Sequence, residues 1–222
     1  MKASKLLSQA ASLIALAVSG SSCSKSPTPP EVVVAPAPAA DSPRAALRLL
    51  EWCWNQRDTT RYARLLPSDF VFQFGALDPY GNAYRDRPWT RTEESISIRN
   101  LFHGSPNKPA ASSINLALDH SFRVFIDPRP GMNSRWHKVI RTGLSLRVID
   151  GDTTRFIVSG TGDFYFVRGD SASIPQTLID VGVVPDSTCW YLERWEEGIP
   201  IGGAQAQPTK FMTVGAIKAL HL

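Results

Sequence analysis

The hydrophobic period of this chain changes once, near residue 113, and no other feature restricts its fold as strongly. From there Ile114, Leu116, Leu118, His120, Phe122, Val124 and Ile126 alternate with Asn115, Asp119, Ser121, Arg123 and Asp127. Period two over that length predicts one long strand with an apolar face and a wet face. A second strand starts near Trp136, with Ile140, Thr142, Leu144, Leu146 and Val148 set against Arg141, Ser145 and Arg147. Asp150 and Gly151 supply a hairpin turn. A third strand covers about 154–167, and Gly160 and Gly162 within it predict a bulge or bend. Residues 169–187 read as loop, and 189–196 as the last strand. The tail 213–220 fits either a short helix or a strand.

Before residue 113 the spacing is helical. Ser42 followed by Pro43 is a helix start, a cap residue and then a proline at the first helical position. Ala46, Leu50, Cys53, Trp54 and Arg57 follow the i, i+4, i+7, i+8, i+11 pattern to about Gln56. Asp58 caps a second, short helix that Pro67 stops. Phe70, Phe72 and Phe74 make one aromatic face of a strand, and 75–89 is rich in turn residues. Thr90 and Glu93 form a capping box for a third helix that runs to about Phe102. Helices gathered before an antiparallel run predict an α+β domain with the helices on one face of the sheet.

The N-terminus reads as an address. Lys2 and Lys5 precede an apolar run over 10–18. A membrane span needs about 20 such residues, so 1–22 is a signal peptide rather than a span. Cys23 follows small residues, as the acylated cysteine of a bacterial lipoprotein does. Gly20 stands where the lipobox normally has an aliphatic residue. Plain secretion, with cleavage near 19–21, is the alternative, and a cytosolic protein with a fortuitous apolar start is a third. Residues 24–42 hold five prolines and read with Cys23 as a tether. At about 3.1 Å per residue it would extend roughly 60 Å. The expected organisation is a signal at 1–22, an anchor and tether at 23–42, and one domain at 43–222. The expected location is the bacterial cell envelope, with the membrane as partner through the lipid on Cys23.

Without the signal the chain carries 22 basic and 20 acidic side chains. That balance, with no basic stripe, argues against nucleic acid. No phosphate loop, G-x-S-x-G or metal-ligand spacing occurs, and no cofactor is expected. His103, His137 and His221 lack the context of a zinc site. Gly160 to Asp163 matches only a fragment of a phosphate-cradling pattern. Cys53 and Cys189 either pair, as an oxidising envelope permits, or stay as buried thiols.

The stretches RAALRLLEWCWNQRDTTRYARLLPSDFVFQF at 44–74 and STCWYLERWEEG at 187–198 resemble the nuclear transport factor 2-like superfamily, including SnoaL-like proteins and ketosteroid isomerases. The resemblance covers roughly 43–198. It implies a curved antiparallel sheet packed on N-terminal helices as a cone, often with an apolar cavity. That cavity would be lined by Trp54, Phe72, Phe74, His120, Thr142 and Trp190. Ketosteroid isomerases place a tyrosine donor where this chain has Leu50, and a general-base aspartate where it has Phe74. Neither residue moves a proton or holds an oxyanion, so that chemistry is not expected.

His120 is the one polar residue on the seven-position apolar face. It is the only catalytic candidate, as a general base or ligand contact. The alternative is a core or rim histidine satisfied by a carbonyl. Asp119 points to the opposite face. Asp69, Glu193, Glu196 and Glu197 are candidate paired carboxylates, with a solvated strand face as the plainer account. Along the last strand, Glu193 should share a face with Tyr191 and Trp195, and Glu196 with Arg194. Three functions follow: a non-enzymatic envelope lipoprotein binding a small apolar ligand or a protein, a SnoaL-like enzyme using His120, or a filled cone serving homodimerisation.

Overall fold

Ser42 caps the first helix as its position predicts. In a computed structural model, which describes residues 35–76, 78–84, 87–151, 154–169, 188–200 and 209–222, the Ser42 hydroxyl accepts from Ala45 N at 3.2 Å. Helix α1, Pro43–Gln56, buries Ala46, Leu47, Leu50, Cys53 and Trp54 on one stripe. It ends at Arg57, which adopts left-handed backbone with φ 56°. Asp58 caps α2, Thr59–Leu65, by accepting from Arg61 N at 2.8 Å. The Thr90 and Glu93 capping box opens α3, Arg91–His103, with Thr90 N donating to Glu93 Oε2 at 3.0 Å. Gly104 closes it at φ 84°, where a Cβ would stand 2.8 Å from Ala110 N. The signal, Cys23 and residues 24–34 of the tether lie outside the described residues. The folded unit begins at Pro36. Ala37 and Ala40 pack against its core, and Trp190 N donates to Ala40 O at 2.7 Å, so the end of the tether lies on the domain.

The domain is α+β, a curved and unclosed sheet forming a cone on the helices. Its strands are β1 (Val71–Gln73), β2 (Trp89–Thr90), β3 (Ser113–Leu118), β4 (Val124–Ile126), β5 (His137–Asp150), β6 (Thr154–Arg168), β7 (Trp190–Pro200) and β8 (Thr209–Phe211). The order across the sheet is β2, β1, β7, β6, β5, β3, with β4 also on β5 and β8 beside β6. The long β5 and β6 hairpin is in register from Asp150 opposite Thr154 to His137 opposite Val167. Two pairings are parallel, β1 with β7 and β6 with β8. A short 3-10 helix, Pro79–Tyr84, occupies part of the expected loop. The tail forms both a strand, β8, and a helix, α4 (Val214–Ala219). The expected loop at 170–187 lies outside the described residues. No described helix is long and apolar enough to cross a membrane.

The single strand expected over 114–126 is two strands. Asp119 Oδ1 accepts from Ser121 N at 2.9 Å and from the Ser121 hydroxyl at 2.7 Å, making a local turn that ends β3. Alternation fails beyond it. Phe122 remains buried, while Phe125 and Ile126 are 53% and 60% exposed. His120 therefore does not face the interior. It is exposed on the turn, with Nε2 2.7 Å from Glu51 Oε2. Thr142 braces the same turn, its hydroxyl donating to Asp119 O at 2.7 Å.

A second slip affects β7. The register against β6 shifts between Tyr165 and Phe166, leaving Glu193 as the extra residue of a bulge. Leu192 and Trp195 consequently both point inward, fully buried. Glu193 turns instead to Arg129, whose guanidinium stacks over Tyr165 on the outer face, so the expected pairing of Glu193 with Trp195 does not occur. Beyond the bulge Arg194 and Glu196 do share a face, their side chains 2.5 Å apart. Gly162 lies at the other irregularity. A Cβ there would meet the Phe164 ring at 2.9 Å and Trp195 Nε1 at 3.1 Å.

Helix α1 covers the free edge of β3 with two side chains one turn apart. The Asn55 amide donates to Leu116 O at 2.8 Å and accepts from Leu116 N at 2.8 Å. Glu51 accepts from Leu118 N at 3.0 Å. These groups serve as the missing neighbour strand and blunt an edge that would otherwise invite pairing. Asn55→Ala removes both partners of Leu116. It should cost about 1–2 kcal/mol in urea unfolding, and an unchanged midpoint would show that water replaces the amide.

Candidate functional site

Trp195 organises the interior. Its ring is 5.0 Å from Phe164, 5.4 Å from Phe72 and 6.3 Å from Trp54. Trp54 in turn meets Phe102 at 5.7 Å and Tyr62 at 6.5 Å. All six residues are buried. These edge-on and tilted ring contacts join the six residues into one buried cluster within the cone. Trp54, Phe72 and Trp190, expected as pocket residues, are thus part of one continuous core. Cys53 lies in that core, its thiol pushed up to about 12 by burial. No disulfide joins it to Cys189.

A charged centre lies among these rings. Lys218 of α4 brings Nζ to 2.8 Å from Glu94 Oε1, both side chains fully buried. The contact is an ion pair at hydrogen-bonding distance. Nζ also lies 3.7 Å from the Phe72 ring centre and 3.9 Å from that of Trp195. The Tyr62 hydroxyl donates to Glu94 Oε1, and Trp89 Nε1 donates to Oε2 at 2.9 Å. Burial draws the Lys218 ammonium below its ordinary pKa, and the Glu94 charge opposes that fall. Burial and Glu94 both raise the Tyr62 phenol. The sequence reading missed this cluster because its members come from α2, β2, α3 and α4. The one local signal was a lysine inside the apolar run VGAIKA.

Helix α4 is held at several points. The Ser97 hydroxyl donates to Lys218 O at 2.7 Å, and Asn100 Nδ2 to His221 O at 2.9 Å. At its start Gly215 N donates to Glu197 Oε1 at 2.8 Å, while the Thr213 hydroxyl donates to buried Asp78. Glu197 also accepts from Gly75 N at 3.3 Å. Burial pushes the Glu197 carboxyl up to about 7, against the pull of these two N–H groups and of Lys218.

An aromatic groove lies on the surface of the described residues. Phe72, Phe74, Tyr84, Pro88, Gly81 and Arg194 are among the residues lining a groove of about 370 Å³ beside β1. Phe74 and Tyr84 stack at 5.2 Å with their planes 9° apart. Gly81 permits this, since a Cβ there would lie 2.6 Å from Phe74 Cβ. Arg194 donates to Glu196 and to Gln73 at the groove's polar edge. Of the six expected pocket residues, the structure brings Phe72 and Phe74 to this groove. Trp54 and Trp190 are in the core, and His120 and Thr142 are at the β3 turn. Of the candidate carboxylates, Glu196 answers Arg194 and Glu197 holds α4, while Glu193 answers Arg129 and stands near enough to Asp69 that burial and the Glu193 charge push the Asp69 carboxyl up to about 6.

No family model matches the chain, and no curated protein matches it in sequence. Several solved structures are similar. A conserved protein from Planctomyces limnophilus is 15% identical, covering 71% of this chain and 94% of that one, with a TM-score of 0.47. The Kfla4162 protein from Kribbella flavida is 14% identical, covering 78% and 91%, with a TM-score of 0.47. A nuclear transport factor 2-like superfamily protein from Salmonella enterica is 13% identical, covering 72% and 89%, with a TM-score of 0.43. At such identities the chemistry has to be argued from this chain's own residues.

The Glu197 carboxyl gives a pH-dependent test. Its folded pKa of about 7 exceeds the ordinary value of 4.5. Its contribution to stability is therefore fully present below about pH 4.5 and is lost as pH rises through 7. His221 acts in the opposite sense, since burial draws it down to about 4, so the comparison has to be with a variant. Glu197→Gln should be more stable than the parent by about 1–2 kcal/mol at pH 8, and nearly equal to it at pH 5. A difference that does not change with pH would rule this account out.

Proposed function

We propose that the protein is a non-enzymatic, lipid-anchored module of the bacterial cell envelope that binds a small apolar ligand in the groove beside β1. The groove carries this reading. Its volume of about 370 Å³ falls within the roughly 300–1,000 Å³ of small-molecule sites, and stacked aromatics line it. Among the described residues, Trp54, Phe72, Phe164 and Trp195 are packed into the interior. A non-catalytic role is supported by what stands at the reactive positions of the resembling isomerases. Leu50 and Phe74 carry no transferable proton, and His120 is out on a surface turn with Glu51.

The envelope address rests on the sequence of residues 1–23 alone. Cys23 would carry the lipid, and residues 24–34 would space the domain from the bilayer. A purely dimerising role is the second reading, supported by Phe125 and Ile126, which are exposed on β4.

Three measurements test the proposal. Cys23→Ser should move the protein from the membrane fraction to the soluble fraction, and a variant that fractionates like the parent would remove the anchor. Native mass spectrometry of the gently purified protein should show a retained small molecule. Ala76→Trp, placed at the groove wall, should abolish that retained mass and weaken binding of the apolar dye 8-anilinonaphthalene-1-sulfonate by at least about tenfold. Equal binding by parent and variant would sink the groove as the site.

A further inference from the structure

We propose that Glu94, Tyr62 and Trp89, together with the ring faces of Phe72 and Trp195, form a recognition site for a primary alkylammonium group, and that Lys218 occupies it as a ligand tethered to its own chain. The walls of the site are complete without α4. Tyr62 from α2 and Trp89 from β2 each donate to one oxygen of Glu94, so both oxygens are oriented by neighbours other than the lysine. The two rings come from β1 and β7. Only the cation comes from the C-terminal helix.

The contacts are those of ligand recognition by charge and surface. The ammonium lies 2.8 Å from a carboxylate oxygen and within 3.9 Å of two ring centres. Aromatic faces attract cations through their quadrupoles, and most strongly when water is absent. A buried carboxylate without a countercharge is unfavourable and takes up a proton instead, so a cation in the closed site is what keeps Glu94 ionised. The Lys218 ammonium stands within hydrogen-bonding distance of one Glu94 oxygen, and charge and fit hold it there. A free amine on an unbranched chain can reproduce both. Helix α4 has six residues, too few to be stable apart from its contacts. When it lifts, the site is left open to an amine-bearing ligand in solution.

The test uses the full chain. Lys218→Ala removes the three methylenes and the ammonium that n-propylammonium would restore. Millimolar n-propylammonium should raise the thermal midpoint of this variant by at least about 3 °C, or raise its refolding yield from urea if it does not accumulate folded. n-Propanol should do neither, and the effect should vanish in Lys218→Ala combined with Glu94→Gln. Equal rescue by the alcohol, or none by the amine, would overturn the site. In the parent, n-butylammonium should compete with the tethered side chain and speed amide hydrogen exchange over 215–219 at least about twofold relative to sodium chloride of equal ionic strength. Unchanged exchange there would overturn the tethered-ligand claim.

Discussion

Trp195 is the residue on which the rest of this structure depends. Four segments distant in sequence meet its ring: α1 through Trp54, β1 through Phe72, β6 through Phe164 and α4 through Lys218. Two departures from regular geometry make that convergence possible. The bulge at Glu193 turns Trp195 inward, and Gly162 leaves room beside it. A curved sheet encloses a concave space that side chains or a guest must fill. Here the chain fills it with its own aromatics.

Filling the cone has a chemical consequence. A lysine and a glutamate meet in a dry interior, where each would be costly alone. Tyr62 and Trp89 hold the carboxylate, while two rings receive the cation. The same packing gives the interior to aromatic side chains, while Phe74 and Tyr84 stack at the surface in the groove beside β1. The candidate catalytic residue follows the same logic in reverse. The Asp119 turn carries His120 out of the strand to a surface contact with the Glu51 carboxylate.

Elements built on local chemistry were legible in the residues. Ser42, Asp58 and the Thr90 and Glu93 box start helices where their cap chemistry requires. Asp150 and Gly151 close the hairpin between the two longest strands. Alternation from Ile140 to Val148 assigned the inward face of β5 correctly, because nothing interrupts that strand. The same rule failed at His120 and at Glu193. In the first case one aspartate side chain bonds the backbone two residues on, and in the second one inserted residue shifts the face of all that follow. Neither event alters the hydrophobic pattern enough to announce itself.

By itself the sequence determined that helices precede an antiparallel run, where the helices begin, and which stripe of α1 is buried, because caps and periodicity act over a few residues. It also places five prolines in residues 24–42. Only the tertiary structure decided that β1 lies parallel to β7, that α4 closes the cone, and that Lys218 meets Glu94. Those outcomes depend on which distant surfaces fill a common space, and no local pattern encodes which partner arrives.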